Sequence, residues 1–251
     1  FYNELAKPSK PDAAPLSAKS IKNIHGVLHK ALKQAVLIGY LRTNPTEACI
    51  LPRIIRKEMH PLEEDQVAVF LREVQGHPHE YLYKIALFTG LREGEVLGLG
   101  WEHIDFQAGT LTVKRQLRRE QKKGGEYYFS PPKNNKSRCL TLAPSVIQLF
   151  RLQKLEQNSM RMEAGDAWEE HGLIFTNQTG GYLSYRTVYD CFKRIVRNIG
   201  APATRFHDLR HTFAVASIKS GDDIKTVQEN LGHATAAFTL DVYGHVTKQM
   251  K

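Results

Sequence analysis

The sequence predicts a mainly helical protein with a small antiparallel β-sheet. Three observations predict it: apolar residues recur at helical spacing through most of the chain, a β-rich stretch between residues 110 and 142 contains a Gly124-Gly125 turn, and capping residues, glycines and prolines punctuate the helical runs. Composition agrees, since 41% hydrophobic and 24% charged residues in a chain of 251 suit an ordinary globular protein. No apolar run approaches the roughly 18 residues a membrane span needs. The opening FYNELAKPSKPD has neither the charged start nor the apolar middle of a signal peptide, so no membrane partner and no export are expected.

The elements follow in order. Ser17 to Gly39 reads as a helix capped by Ser17, with Ile21, Ile24, Leu28, Ala31, Leu32 and Ala35 at helical spacing. Lys19, Lys22, Lys30 and Lys33 fall on the opposite side within roughly 80° of one another, with no acidic residue interleaved, and form a candidate phosphate-binding stripe. LPRIIRKEMH, residues 51 to 60, follows Asn44-Pro45 and precedes Pro61, and reads as a basic linker. It separates a small helical piece, 1–57, from a larger domain, 58–251. Helices are expected at about 62–75 and 79–90, then a hairpin in which Thr110–Leu117 and Glu126–Ser130 flank the glycine pair, with Arg138–Leu142 as a third strand. Lys114, Arg115, Arg118, Arg119, Lys122 and Lys123 crowd that hairpin, and Arg115 and Arg118 are candidate DNA contacts. Helices resume at 144–160, 184–198, 206–219 and Asp222–Leu231, the last stopped by Gly232.

Charge and cysteines narrow the partners. The net charge of +9 suits a polyanion, and residues 1–57 hold ten Lys or Arg against Glu4, Asp12 and Glu47. Cys49, Cys139 and Cys191 are odd in number and outside any CxxC spacing, which supports neither a disulfide framework nor a zinc knuckle and fits a reducing, cytoplasmic compartment.

The C-terminal third concentrates phosphate-binding and proton-transfer groups: Arg205, His207, Arg210, His211, His233, Tyr243 and His245. His207 and His211 have the i, i+4 spacing of helical zinc ligands. HDLRH, however, lacks the metalloprotease glutamate after its first histidine, and no metal or other cofactor is expected. Taken singly, Arg92 could be a surface arginine and Tyr243 a core tyrosine.

In combination, TGLREGEVLGL, HDLRHTFA and LGHATAAFTLDVYGHV, in that order, resemble the tyrosine recombinases of the phage integrase family, especially integrases of conjugative transposons and prophages. The resemblance runs from about Ser17 to His245. It implies a tyrosine recombinase catalytic domain over 58–251, preceded by the last part of a helical core-binding domain that closes around DNA, and a chain that is a fragment. It implies a site-specific recombinase acting on double-stranded DNA and self-associating into dimers or tetramers on it. Arg92, His207, Arg210 and His233 would then surround the scissile phosphate and Tyr243 would attack it. Of the two lysines in PPKNNKSRCLTL, Lys133 aligns better than Lys136 with the family's hairpin lysine, and Glu95 would be structural support.

These residue types suit that chemistry. In-line attack on a phosphodiester builds negative charge on the non-bridging oxygens, which forked guanidiniums hold in two places at once. A phenol of pKa about 10 needs help to lose its proton near neutral pH, and His207 is the first candidate to take it. A lysine from the hairpin would protonate the leaving 5′ oxygen, the product being a 3′ phosphotyrosine formed without metal or ATP. A type IB topoisomerase shares this step but usually departs from the first histidine. A non-catalytic DNA binder has no need of a tyrosine among two arginines and two histidines.

Overall fold

The computed structural model describes residues 1–7, 14–54, 59–122, 124–133, 135–233 and 235–249, with backbone only over 245–249. The chain divides into two compact units, Phe1–Glu58 and Met59–Lys251. The expected boundary at residue 57 and Lys123 of the basic turn lie outside the described residues, as does the side chain of His245.

In the first unit, α1 (Tyr2–Ala6) packs on α2 (Ala18–Leu37). Ser17 caps α2 by accepting the Ser20 amide at 3.1 Å, which satisfies one of the free donors every helix start leaves. Ile21 is buried, Ile24, Leu28, Leu32 and Ala35 are half-buried, and Ala31 is exposed. His25 meets the Tyr2 hydroxyl at 3.2 Å, and His29 meets Thr46 at 2.9 Å, which ties α1 and the Asn44–Thr46 turn to one side of α2.

The second unit begins with α3 (Glu64–Glu73), α4 (Glu80–Thr89) and the short α5 (Glu93–Leu97). The strands β1 (Ile104–Asp105), β2 (Thr110–Val113), β3 (Gln116–Arg119), β4 (Tyr127–Ser130) and β5 (Arg138–Thr141) follow. Among the described residues, the helices α6 (Pro144–Ala164), α7 (Tyr185–Asn198), α8 (Phe206–Lys219), α9 (Ile224–Leu231) and α10 (Ala236–Gln249) complete it. Phe70 of α3, Tyr83 of α4, Phe192 of α7 and Phe206 of α8 meet at the centre, with Phe192 lying 6.0, 5.9 and 5.5 Å from the other three rings. Each such buried ring contributes on the order of 1.5–3 kcal/mol. Tyr83 satisfies its hydroxyl by donating to the Val188 carbonyl at 2.8 Å. A smaller core seats α10, with Tyr243 packed among Ala214, Ile218, Val227 and Leu231. Among the described residues no helix is long and apolar enough to cross a membrane.

The β region corrects two expectations. Thr110–Leu117 is not one strand: β2 pairs with β1 and β5 in an antiparallel sheet, while β3 pairs with β4 in a separate hairpin. The third expected strand therefore adds to β2, with Val113 opposite Arg138, and not to the hairpin. The break falls at Lys114-Arg115. There the Arg115 guanidinium donates to the Gly98 carbonyl at 2.9 Å, pairs with Glu102 at 3.1 Å and lies 4.1 Å over the Phe129 ring, so side-chain bonds turn the chain out of the first ladder. Further elements had no expectation, among them α1, α5, β1 and α10. β1 is two residues long, too short to alternate visibly, and ATAAFTLDVYGHV has no clear apolar stripe, so α10 owes its place to the burial of Tyr243 and Thr239.

Candidate active site

Two arginines anchor the site, and helix ends position both. Arg92 stands at the N-terminus of α5, two residues after Gly90, which ends α4 with φ +63°. Only glycine fits there, because a Cβ would also meet the Phe213 ring at 2.5 Å. The Arg92 amide and its Nη1 each donate to the Glu95 carboxylate at 2.9 Å. Glu95 is fully buried and also takes both ends of the Arg138 fork, at 2.9 and 2.7 Å. Burial alone would raise its pKa, but the hydrogen bonds and charges of Arg138 and Arg92 outweigh it and hold the carboxyl at about 2.

Arg210, 2% exposed on α8, is a bridge between two other helix ends. Its Nη1 donates to the Gly90 carbonyl at 2.8 Å and its Nη2 to the Leu231 carbonyl, the C-termini of α4 and α9. Those carbonyls lack helical partners and carry the negative end of the helix dipole, so a buried cation suits them. Burial, then Arg92, pull the Arg210 pKa down to about 9. The start of α8 is fixed by Asp208, which accepts the Arg205 amide at 2.8 Å and its Nη2 at 2.7 Å. Arg205 is thereby committed to the helix end.

Arg210 and Tyr243 line one cavity of about 540 Å³ together with Arg92, Lys133, His207, His211 and His233. Lys133 also lines an adjoining cavity of about 350 Å³, where Lys136 is found. His233 follows Gly232, which ends α9 with φ +62°. Its Nδ1 is held by the Thr239 hydroxyl of α10 at 2.9 Å. Burial, then Arg210 and Arg92, drop the His233 pKa to about 3. His207 is exposed and lines the cavity, and partial burial of its ring, then Arg210 and Arg92, lower its pKa too.

The expected proton acceptor is where the geometry differs from expectation. His211, one turn after His207, places Nδ1 2.5 Å from the Tyr243 hydroxyl, whereas His207 meets the His211 ring edge-on at 5.1 Å. Burial, then His207, bring His211 down to about 4, and burial raises Tyr243 to about 12. At neutral pH both partners are therefore uncharged, and the phenol donates to the imidazole.

Of the candidate DNA contacts, Lys19, Lys30, Lys33 and Arg118 are exposed and Lys22 is half-buried. Arg115 is committed to Gly98, Glu102 and Phe129. Sequence reasoning passed over Arg138, Thr239 and the bond of His211 to Tyr243. Thr239 could have been found as the residue one turn before Tyr243 on α10, and Arg138 as the basic residue opening a strand beside the lysine loop.

The family model described as "Phage integrase family" matches residues 60–250. The chain belongs to the phage integrase family. Curated relatives of this family member include a tyrosine recombinase XerC-like protein of Caldanaerobacter subterraneus subsp. tengcongensis, 29% identical over all of this chain and 67% of the relative. The ICEBs1 integrase of Bacillus subtilis strain 168 is 28% identical over 92% of this chain and 62% of its own length. The chain thus spans roughly two thirds of one relative and less of the other. Among solved structures, the Tn1549 transposon integrase in complex with transposon right end DNA has a TM-score of 0.77 at 24% identity, over 94% of this chain and 79% of that one. The XerH site-specific recombinase bound to difH substrate has a TM-score of 0.64 at 24% identity, over 94% and 64%. At that identity the likeness is one of fold.

Proposed function

We propose that this chain cleaves and rejoins duplex DNA at specific sites as part of a recombinase of a mobile element, with Tyr243 as nucleophile. One observation carries the reading: Tyr243 lines a single cavity together with two guanidiniums, three imidazoles and a lysine. Arg92 and Arg210 neutralise the charge that builds on the non-bridging oxygens. Held through Nδ1 by Thr239, His233 turns its Nε2 to a phosphate oxygen. The phenolic proton passes to His211 as the Tyr243 oxygen bonds to phosphorus. The bond from phosphorus to the 5′ oxygen breaks, and that oxygen takes a proton from Lys133. The phosphodiester energy is kept in the 3′ phosphotyrosine, so a 5′ hydroxyl from another strand reverses the steps and joins new partners.

Duplex DNA as substrate is supported by the Tn1549 integrase and XerH, each solved on DNA. A mobile-element origin is supported by the ICEBs1 integrase. Residues 1–57 act as the last part of a DNA-clamping domain that meets phosphates through Lys19, Lys30 and Lys33, work is done at the nucleoid, and assembly on DNA is dimeric or tetrameric. The test is to incubate the protein in EDTA with a pool of nicked duplexes that trap a cleaved strand, then denature. A covalent adduct on Tyr243, absent in Tyr243→Phe while DNA binding persists, is expected. An adduct retained by Tyr243→Phe overturns the assignment.

A further inference from the structure

We infer that Arg138 is a positioning residue for phosphate binding, because it takes over the buried carboxylate of Glu95 and so leaves the charge of Arg92 available to an anion. The inference rests on the recombinase reading above. Glu95 is fully buried, and a buried carboxylate needs a counter-charge. If Arg92 were its sole partner, the pair would be neutral and the guanidinium would be turned to the carboxylate and away from the cavity. Arg138 prevents this by geometry. Its fork covers both oxygens of Glu95, at 2.9 and 2.7 Å, whereas Arg92 spends a single guanidinium donor there, at 2.9 Å. Two guanidiniums against one carboxylate leave one positive charge, which stands at the cavity wall where Arg92 lies.

Arg138 is held for this task from both sides. It opens β5, opposite Val113, and its Nε donates to the Asn230 carbonyl near the C-terminus of α9 at 2.9 Å. Its side chain is 10% exposed. Gly232 lies against it, since a Cβ there would meet the Arg138 Cδ at 3.0 Å. One side chain thus joins the strand after the lysine loop, the carboxylate under Arg92 and the turn that carries His233. Lysine could supply the charge but not the fork and the carbonyl bond together.

The experiment compares adduct formation by wild type, Arg138→Met and Arg138→Lys on two nicked substrates, one with an ordinary scissile phosphate and one with a neutral methylphosphonate at that position. On the ordinary phosphate, Arg138→Met should form adduct on the order of 10²-fold more slowly than wild type, as loss of one charge-stabilising group does elsewhere. DNA affinity should barely change, because the flanking contacts are elsewhere. On the methylphosphonate the deficit should largely close, since the substrate brings no negative charge for Arg92 to neutralise and only its one remaining non-bridging oxygen gains any as phosphorus is attacked. Arg138→Lys should fall between wild type and Arg138→Met. An equal deficit on both substrates, or a loss of DNA binding to match, overturns the inference.

Should Arg138→Met unfold, the pair Glu95→Gln with Arg138→Met decides. Removing the carboxylate along with its partner frees Arg92, so the double variant should cleave faster than a single Arg138→Lys, and a slower rate counts against the inference. Wild type forming no adduct on either substrate would instead sink the recombinase reading itself.

Discussion

Replacing Arg210 with lysine separates charge from geometry at the centre of the site. Arg210 donates from two nitrogens to the Gly90 and Leu231 carbonyls, at the ends of α4 and α9, while facing the cavity. A lysine keeps the charge but carries one nitrogen, which cannot reach both carbonyls and the cavity. At least one buried carbonyl is left without a partner, at a cost of about 1–3 kcal/mol. For a domain of this size that lowers the melting temperature by on the order of 2–12 °C. The phosphate also loses a forked donor that strengthens as charge develops, worth on the order of 10²–10³-fold in rate. Thermal melts and single-turnover adduct formation on nicked duplexes read the two losses separately. A variant that melts with wild type and cleaves at its rate would refute both the bridging role and the forked contact.

Two further outcomes follow from the same geometry. Thr239→Val removes the hydroxyl that holds the Nδ1 of His233. It should slow adduct formation by about 2–10-fold, the worth of one hydrogen bond, with DNA affinity unchanged; an unaltered rate would show that His233 needs no such support. Acid should destabilise the free protein. His211 and His233 sit at about 4 and 3 when folded against 6.5 unfolded, so between those values the unfolded chain binds more protons and stability falls as pH drops below about 6.5. Glu95, at about 2 against 4.5, adds a loss of the same sign below about 4.5. Melts from pH 7 to 4 should show a steady decline, and a flat profile would contradict it.

The fold class and the residues facing the cavity were legible because they lie in short local patterns. Ser17 before an apolar period predicts α2, and TGLREGE, HDLRH and LGH each place a helix end or a helix face beside the residue of interest. What was not legible depends on pairs distant in sequence or on backbone. Arg138 and Glu95 are 43 positions apart, and the partners of Arg210 are carbonyls, which any residue supplies. The split of residues 110–117 into two sheets turns on where one arginine, Arg115, spends its donors, and alternation of side chains does not encode that. His211 shares its helical face with His207, so spacing could not say which of the two would meet a tyrosine arriving from α10.

The free site holds its own reactivity in check. Burial, then Arg210 and Arg92, depress the His207 and His233 pKa values, burial and His207 depress His211 with a smaller part from Arg210, burial and Arg92 depress Arg210, and burial keeps Tyr243 protonated. Burial is the larger part of each shift, and the positive charge of the arginines adds to it at the imidazoles. A phosphate placed between the arginines cancels that charge where it is greatest, which raises the basicity of the imidazoles at the moment the Tyr243 oxygen gains its electrophile. On the recombinase reading, the guanidiniums that hold the phosphoryl group would therefore also ease transfer of the phenolic proton to His211, by relieving the part of its shift that Arg210 contributes. Substrate charge contributes, on the same reading, to nucleophile activation through Coulomb interaction with the arginines, beside the burial that sets most of each shift.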